Sequence, residues 1–211
     1  MTQSLSMRMR VTTLVPGTLV LLAGCVDPRG RFDDFADRTP APPDADSTDA
    51  AVVTDLPDVD GTFLLAVNPS ISPGNAVQYL VTWDLTEPGT AGAAGDLDGS
   101  YQPLRTFGLV SNSPERTPVG APLVVGDVAV DNTASFSARL MGTLPGMANS
   151  VTGQTRPYNI VLAGVIRSPD LVCGTVTGMV DVVDVAGSTF AAIRVTDTTP
   201  ANLPAPTLAC P

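Results

Sequence analysis

The chain has 211 residues, with 11 Arg and no Lys, 21 acidic side chains and no His, for a net charge of −10. Without Lys there is no Walker-type phosphate loop, Schiff base or Ser-Lys dyad, and without His no Ser-His-Asp triad, Cys-His pair or imidazole metal site. The acidity also opposes nucleic acid as a partner, because that affinity rests on clustered Lys and Arg.

The first 25 residues have the three parts of an export signal. Residues 1–10 carry only positive charge, from Arg8 and Arg10, and residues 11–22 are apolar apart from Thr, with a Pro16-Gly17 break. Twelve apolar residues are too few to span a bilayer, which takes about 20, so the run fits a signal-peptide core and not a membrane anchor. Arg8-Met9-Arg10 is not a twin-Arg pair, which points to the general secretion route.

Leu22-Ala23-Gly24-Cys25 closes this segment and resembles the lipobox of bacterial lipoproteins. The resemblance covers residues 1–25 only. It implies cleavage after Gly24 and diacylglycerol on the Cys25 thiol, the nucleophile that takes the lipid. Two or three acyl chains would hold the protein on a membrane far more firmly than one, at about 0.8 kcal/mol per buried CH₂. Val26 follows the Cys, and Asp comes one place later at Asp27; in the Gram-negative sorting pattern an Asp directly after the Cys favours the inner membrane, so the resemblance implies the outer one.

Residues 25–60 form the next part: the lipidated Cys and a tether in which ten of the 35 residues after it are Asp. Three Arg reduce its net charge only to −7, and Pro40, Pro42, Pro43 and Pro57 break any period. Such a composition buries too little apolar surface to offset the entropy of ordering, so disorder is expected. As a flexible coil it would span about 30–35 Å, enough to hold a domain off an anionic surface.

Residues 61–211 are long enough for one hydrophobic core. Val and Thr dominate, helix-length amphipathic runs are missing, and Gly, Pro, Asn and Asp punctuate the chain, so the expected fold is all-β: an antiparallel sandwich or up-and-down barrel of about eight strands. In chain order the expected strands are 62–67, 77–85, 100–109, 123–130, 135–141, 158–166, 171–183 and 188–195. The clearest is 77–85, where Val77, Tyr79, Val81, Trp83 and Leu85 share a face with period 2. Strands 158–166 and 171–183 are spaced as a hairpin, and residues 184–187 join 171–183 to 188–195 in a second. Residues 143–156 have no clear period and read as a long loop, a place where binding residues concentrate.

Setting Cys25 aside, Cys173 and Cys210 can pair in only one way in an exported domain. Val172, Val176, Val180 and Val182 fall on one face of their strand, which puts Cys173 on the other, outer face. A bridge would therefore staple the Pro-rich tail across the exterior of the sheet.

Asp58-Val59-Asp60-Gly61 and Asp96-Leu97-Asp98-Gly99 repeat one pattern, and Asp96 and Asp98 are weak calcium candidates. With each Gly at the sixth loop position, neither the first nor the twelfth position is acidic, so neither is an EF-hand; a turn leading into a strand is the simpler reading. Paired carboxylates are the one acid-base mechanism left open, with Glu87, Glu115, Asp181 and Asp184 as candidates that nothing in the sequence brings together. Arg105, Arg139, Arg156, Arg167 and Arg194 are scattered, and Trp83, Tyr79, Phe136 and Phe190 fit core positions about as well as a ligand wall.

No catalytic residue, metal or cofactor is assigned. The reading is a membrane-anchored exported lipoprotein that acts as a non-enzymatic structural or interaction module of the cell envelope. Its partners are the membrane, through the lipid on Cys25, and an envelope or extracellular protein. The alternative is a lipocalin-like barrel that binds a small apolar ligand; a filled interior would exclude it.

Overall fold

Alternation of inward apolar and outward polar residues runs through nearly every strand of the computed structural model, which describes residues 56–86 and 93–211. Leu22, Ala23, Gly24, Cys25, most of the Asp-rich stretch and Glu87 lie outside the described residues. Nine strands form: β1 (Gly61–Asn68), β2 (Val77–Thr86), β3 (Gly95–Pro103), β4 (Leu123–Val130), β5 (Ser135–Leu144), β6 (Arg156–Ser168), β7 (Leu171–Val180), β8 (Val183–Asp184) and β9 (Ser188–Arg194). Among the described residues no helix is long and apolar enough to cross a membrane.

From β1 to β8 each strand pairs antiparallel with the next, and β9 pairs with both β7 and β1, so eight strands close into an up-and-down barrel. The two-residue β8 is the extra strand, a short ladder on the end of β7. The wall is thinnest between β4 and β5, which share the single pair Val130–Phe136. Of the two architectures open from sequence, the barrel is the one formed.

Three boundaries differ from the sequence reading. β3 runs over Gly95–Pro103, not 100–109. Its inward residues are Leu97, Gly99 and Tyr101, and the Asp-Leu-Asp-Gly run that looked like a turn is strand, with a register shift between Leu97 and Gly99. Gly99 is needed there because a Cβ would sit 2.7 Å from the Tyr101 ring and 3.1 Å from Trp83. β7 stops at Val180, where Asp181 takes a positive φ of 56°, so Val182 is an exposed loop residue and not part of the inward stripe. The long loop is shorter than expected, since β5 and β6 stay paired to Leu144–Arg156; residues 145–155 remain, with a 3₁₀ turn at Gly146–Ala148.

At the barrel end where β1 begins, the interior is filled by large side chains. Phe63 and Trp83 pack with centroids 4.9 Å apart, and the Trp83 indole donates to the Tyr101 hydroxyl at 3.3 Å. Phe136 and Phe190 crowd against Gly164, where a Cβ would lie 2.5 Å from the Phe136 ring. Residues 56–60, the end of the Asp-rich stretch, belong to this closed end: Val59 is fully buried in the core and Leu56 packs on it. Arg194 holds the segment, donating to the carbonyls of Asp58 at 2.8 Å and Asp60 at 2.6 Å while stacking over Phe63.

Cys173 and Cys210 form the expected disulfide, with Cα atoms 5.4 Å apart. Cys173 faces outward, beside Thr175 and Thr177, and is buried only because the tail covers it. The tail lies on the barrel's exterior, where Leu203 and Val195 pack with the outward-facing Leu64 and with Leu104. Arg116, which sequence reasoning did not single out, pins it: the buried guanidinium donates to Leu203 O at 2.6 Å, Pro204 O at 3.0 Å and Gln78 Oε1 at 2.9 Å.

Candidate functional site: the barrel mouth

The other end of the barrel, where β1, β3, β5 and β7 finish, is closed less completely. The side chains that point inward at this level are mostly β-branched and short, in contrast to the aromatic packing at the closed end. They leave a cavity of about 210 Å³ whose wall includes Val67, Val77, Leu144, Ile160, Val176 and Val185. Loops complete it: Ile71 from the β1–β2 connection, Val151 and Thr152 from residues 145–155, and Val182 and Val183 from the β7–β9 connection. The loop 145–155 is itself anchored, since Ala148 is buried in the core and its carbonyl accepts from Thr106 Oγ at 2.8 Å.

Exposed large hydrophobics gather around this opening. Ile71 from the β1–β2 loop and Val182 and Val183 from the β7–β9 connection line it, with Ile71 54 % and Val182 81 % exposed. Charged groups at this end of the barrel are matched. Arg105 pairs with Glu115 at 3.2 Å, and Arg156 pairs with Asp181 at 2.5 Å and also donates to Gln154. Exposed apolar side chains beside an apolar hollow mark a place where something apolar is met.

Two polar side chains interrupt the apolar wall from opposite sides of the eight-strand ring, Tyr79 on β2 and Tyr158 on β6. Tyr79 is 3 % exposed, and its hydroxyl has no hydrogen-bond partner among the described residues, yet it is not sealed in the protein as a fully enclosed unpartnered atom would be. It opens on the cavity. Burial, and secondarily the nearby Tyr158, push the Tyr79 pKa far above its ordinary value, so the group stays a neutral hydroxyl. Burial likewise raises Tyr158. The other polar residues of the wall are occupied: the Asn149 amide donates to Thr152 and to Gln154 O, and Ser188 Oγ accepts from Ser70 N at 2.9 Å.

The sequence candidates for acid-base or metal chemistry lie elsewhere or are engaged. Asp98 Oδ1 accepts from Asp127 N at 2.8 Å and supports the β3–β4 irregularity, while Asp96, buried, lies on the same strand. Asp58 and Asp60 cap backbone amides, at 2.9 Å to Asp60 N and 2.7 Å to Leu85 N. Asp184 Oδ1 accepts from Ala186 N at 2.8 Å. Among the described residues no three Asp, Glu, Cys or His come together in a way that could hold a metal ion. Sequence reasoning left Tyr79 open between core and ligand wall and gave its hydroxyl no role; the available signal was a phenol at the end of the inward stripe where Val77 and Val81 flank it.

Fold and cavity together define a class: an eight-stranded up-and-down β-barrel, plugged with aromatics at one end and hollow at the other. No protein-family model, curated protein or solved structure matches the chain, so its site is read from its own geometry.

Proposed function

We propose that the chain is an exported, lipid-anchored and non-enzymatic binding protein whose barrel mouth takes up a small apolar molecule. The observation that carries this is the apolar cavity of about 210 Å³ at an open barrel end, completed by aliphatic side chains from three loops. Preformed, mainly apolar hollows with a few polar groups are the usual form of small-molecule sites. The Leu22-Ala23-Gly24-Cys25 motif supports attachment at a membrane, outer by the residue at position 26, and a membrane is a reservoir of apolar molecules.

The reading is tested by native mass spectrometry on protein purified from its own source. A reproducible bound molecule that is released by unfolding is the expected result. An empty protein that also fails to take up added apolar compounds overturns it and returns the chain to the second reading, a structural module meeting envelope partners through its loops.

A further inference from the structure

We infer that the molecule held in the mouth carries one uncharged hydrogen-bonding head group, seated on the Tyr79 hydroxyl. This rests on the ligand-binding reading and adds the chemistry of the ligand. A buried hydroxyl without a partner is costly, and native interiors rarely keep one. Phe in place of Tyr79 would have filled the same space among Val67, Val77 and Leu144 without that cost. Retaining the oxygen on an aliphatic wall is explained if a ligand supplies its partner.

The head group is neutral because the cavity offers nothing to balance a charge. Arg156 is the cation of the wall and is committed to Asp181 and Gln154. A carboxylate or ammonium beside Tyr79 would lose its hydration and gain one hydroxyl. Water at the Tyr79 hydroxyl would find few of the two to four polar partners it needs, since Asn149 and Ser188 are already hydrogen-bonded to the protein and the Tyr158 hydroxyl is the other wall group left to meet it. A dry cavity of about 150 Å³ holds benzene, so the space here suits a single ring or short chain bearing an alcohol or carbonyl oxygen.

The test uses two probes of nearly equal shape, toluene and phenol, titrated into the full chain carrying C25S. Without the lipid no detergent is needed, and detergent would compete for the cavity. Binding is followed by chemical shifts of the Val176 methyls, in the wild-type barrel and in Y79F. The expected result is that both probes bind and that Y79F shifts the ratio of their affinities roughly five- to tenfold toward toluene, about one hydrogen bond. Thermal melting of Y79F checks that the fold is kept, and Y158F shows whether the second phenol shares the head group. An unchanged ratio in Y79F, with toluene still bound, overturns the inference and leaves the apolar-ligand reading standing. If neither probe binds, both fall.

Discussion

Removing the disulfide should destabilise the barrel by an amount its loop length sets. Cys173 and Cys210 are 37 residues apart, and in the chain-entropy relation a loop of that size costs the unfolded state about 3.8 kcal/mol of freedom at 25 °C. In the folded state the tail has other holds, Leu203 in its apolar cluster and Arg116 on the Leu203 and Pro204 carbonyls, so the native contacts near the bridge should survive its loss. The double variant C173A/C210A should therefore lose roughly 3–4 kcal/mol, much of a small domain's stability of about 5–15 kcal/mol. Urea unfolding followed by the fluorescence of Trp83, the single Trp of the chain and buried, reads this directly. The slope of free energy against urea should also rise, because the unlinked chain unfolds to a more expanded state. A loss below about 1 kcal/mol with an unchanged slope would refute the argument that the bridge acts on the unfolded chain.

Four further outcomes follow from the described contacts. R116M leaves the Gln78, Leu203 and Pro204 acceptors without their donor and should cost about 2–5 kcal/mol in the same urea assay, with protease cutting of the tail as a second readout. V176F adds a ring to the cavity wall and should abolish toluene binding while changing stability by no more than about 1–3 kcal/mol, measured by titration and melting. The Asp131 carboxylate, hydrogen-bonded first by the Thr133 hydroxyl and then by the Ser135 amide, titrates below its ordinary value of 3.8; its contribution is full above that value and fades as pH falls through the lower folded-state midpoint, so D131N should flatten the acid limb of stability against pH. C25A should abolish incorporation of labelled fatty acid in a lipid-modifying host, and persistent labelling would exclude the lipobox.

Strand positions were legible where inward residues alternate without interruption, as in 77–85 against Val77–Thr86, and 123–130 was placed despite the break at Gly126-Asp127, where Asp127 takes a positive φ. β3 was displaced because Asp96, Asp98 and Gly99 have turn chemistry in sequence, yet there the glycine serves ring packing and an Asp serves a neighbouring amide. The tail's path followed from the face of β7 that Cys173 occupies. Barrel or sandwich could not be decided locally, because closure depends on β1 pairing with β9, Phe63 with Arg194 across more than 100 residues. Arg116 looked like any loop cation; only the returning tail makes it buried. The cavity is a difference of volumes between two ends of one barrel, and a list of inward Val and Tyr residues does not reveal which end is underfilled.

Topology puts the chain's entry into the barrel and the mouth at opposite ends. With an even number of strands in an up-and-down ring, the first strand enters and the last leaves at the same end, and the four connections β1–β2, β3–β4, β5–β6 and β7–β9 all fall at the other. The entering end carries Val59 as its plug, Arg194 as its clamp and most of the strand carboxylates, including Asp84, Asp96, Asp98 and Asp170. The opposite end carries matched charges and exposed aliphatics. The net negative charge that opened the sequence reading is thus divided twice, between tether and domain and then between the two ends of the barrel. Residues 26–55 lie between Cys25 and Leu56, a contour of roughly 100–110 Å if fully extended. If the chain is anchored through Cys25 and loads from a membrane, as proposed, shortening residues 26–55 by half should leave toluene affinity in solution unchanged and reduce loading of the anchored protein from that membrane.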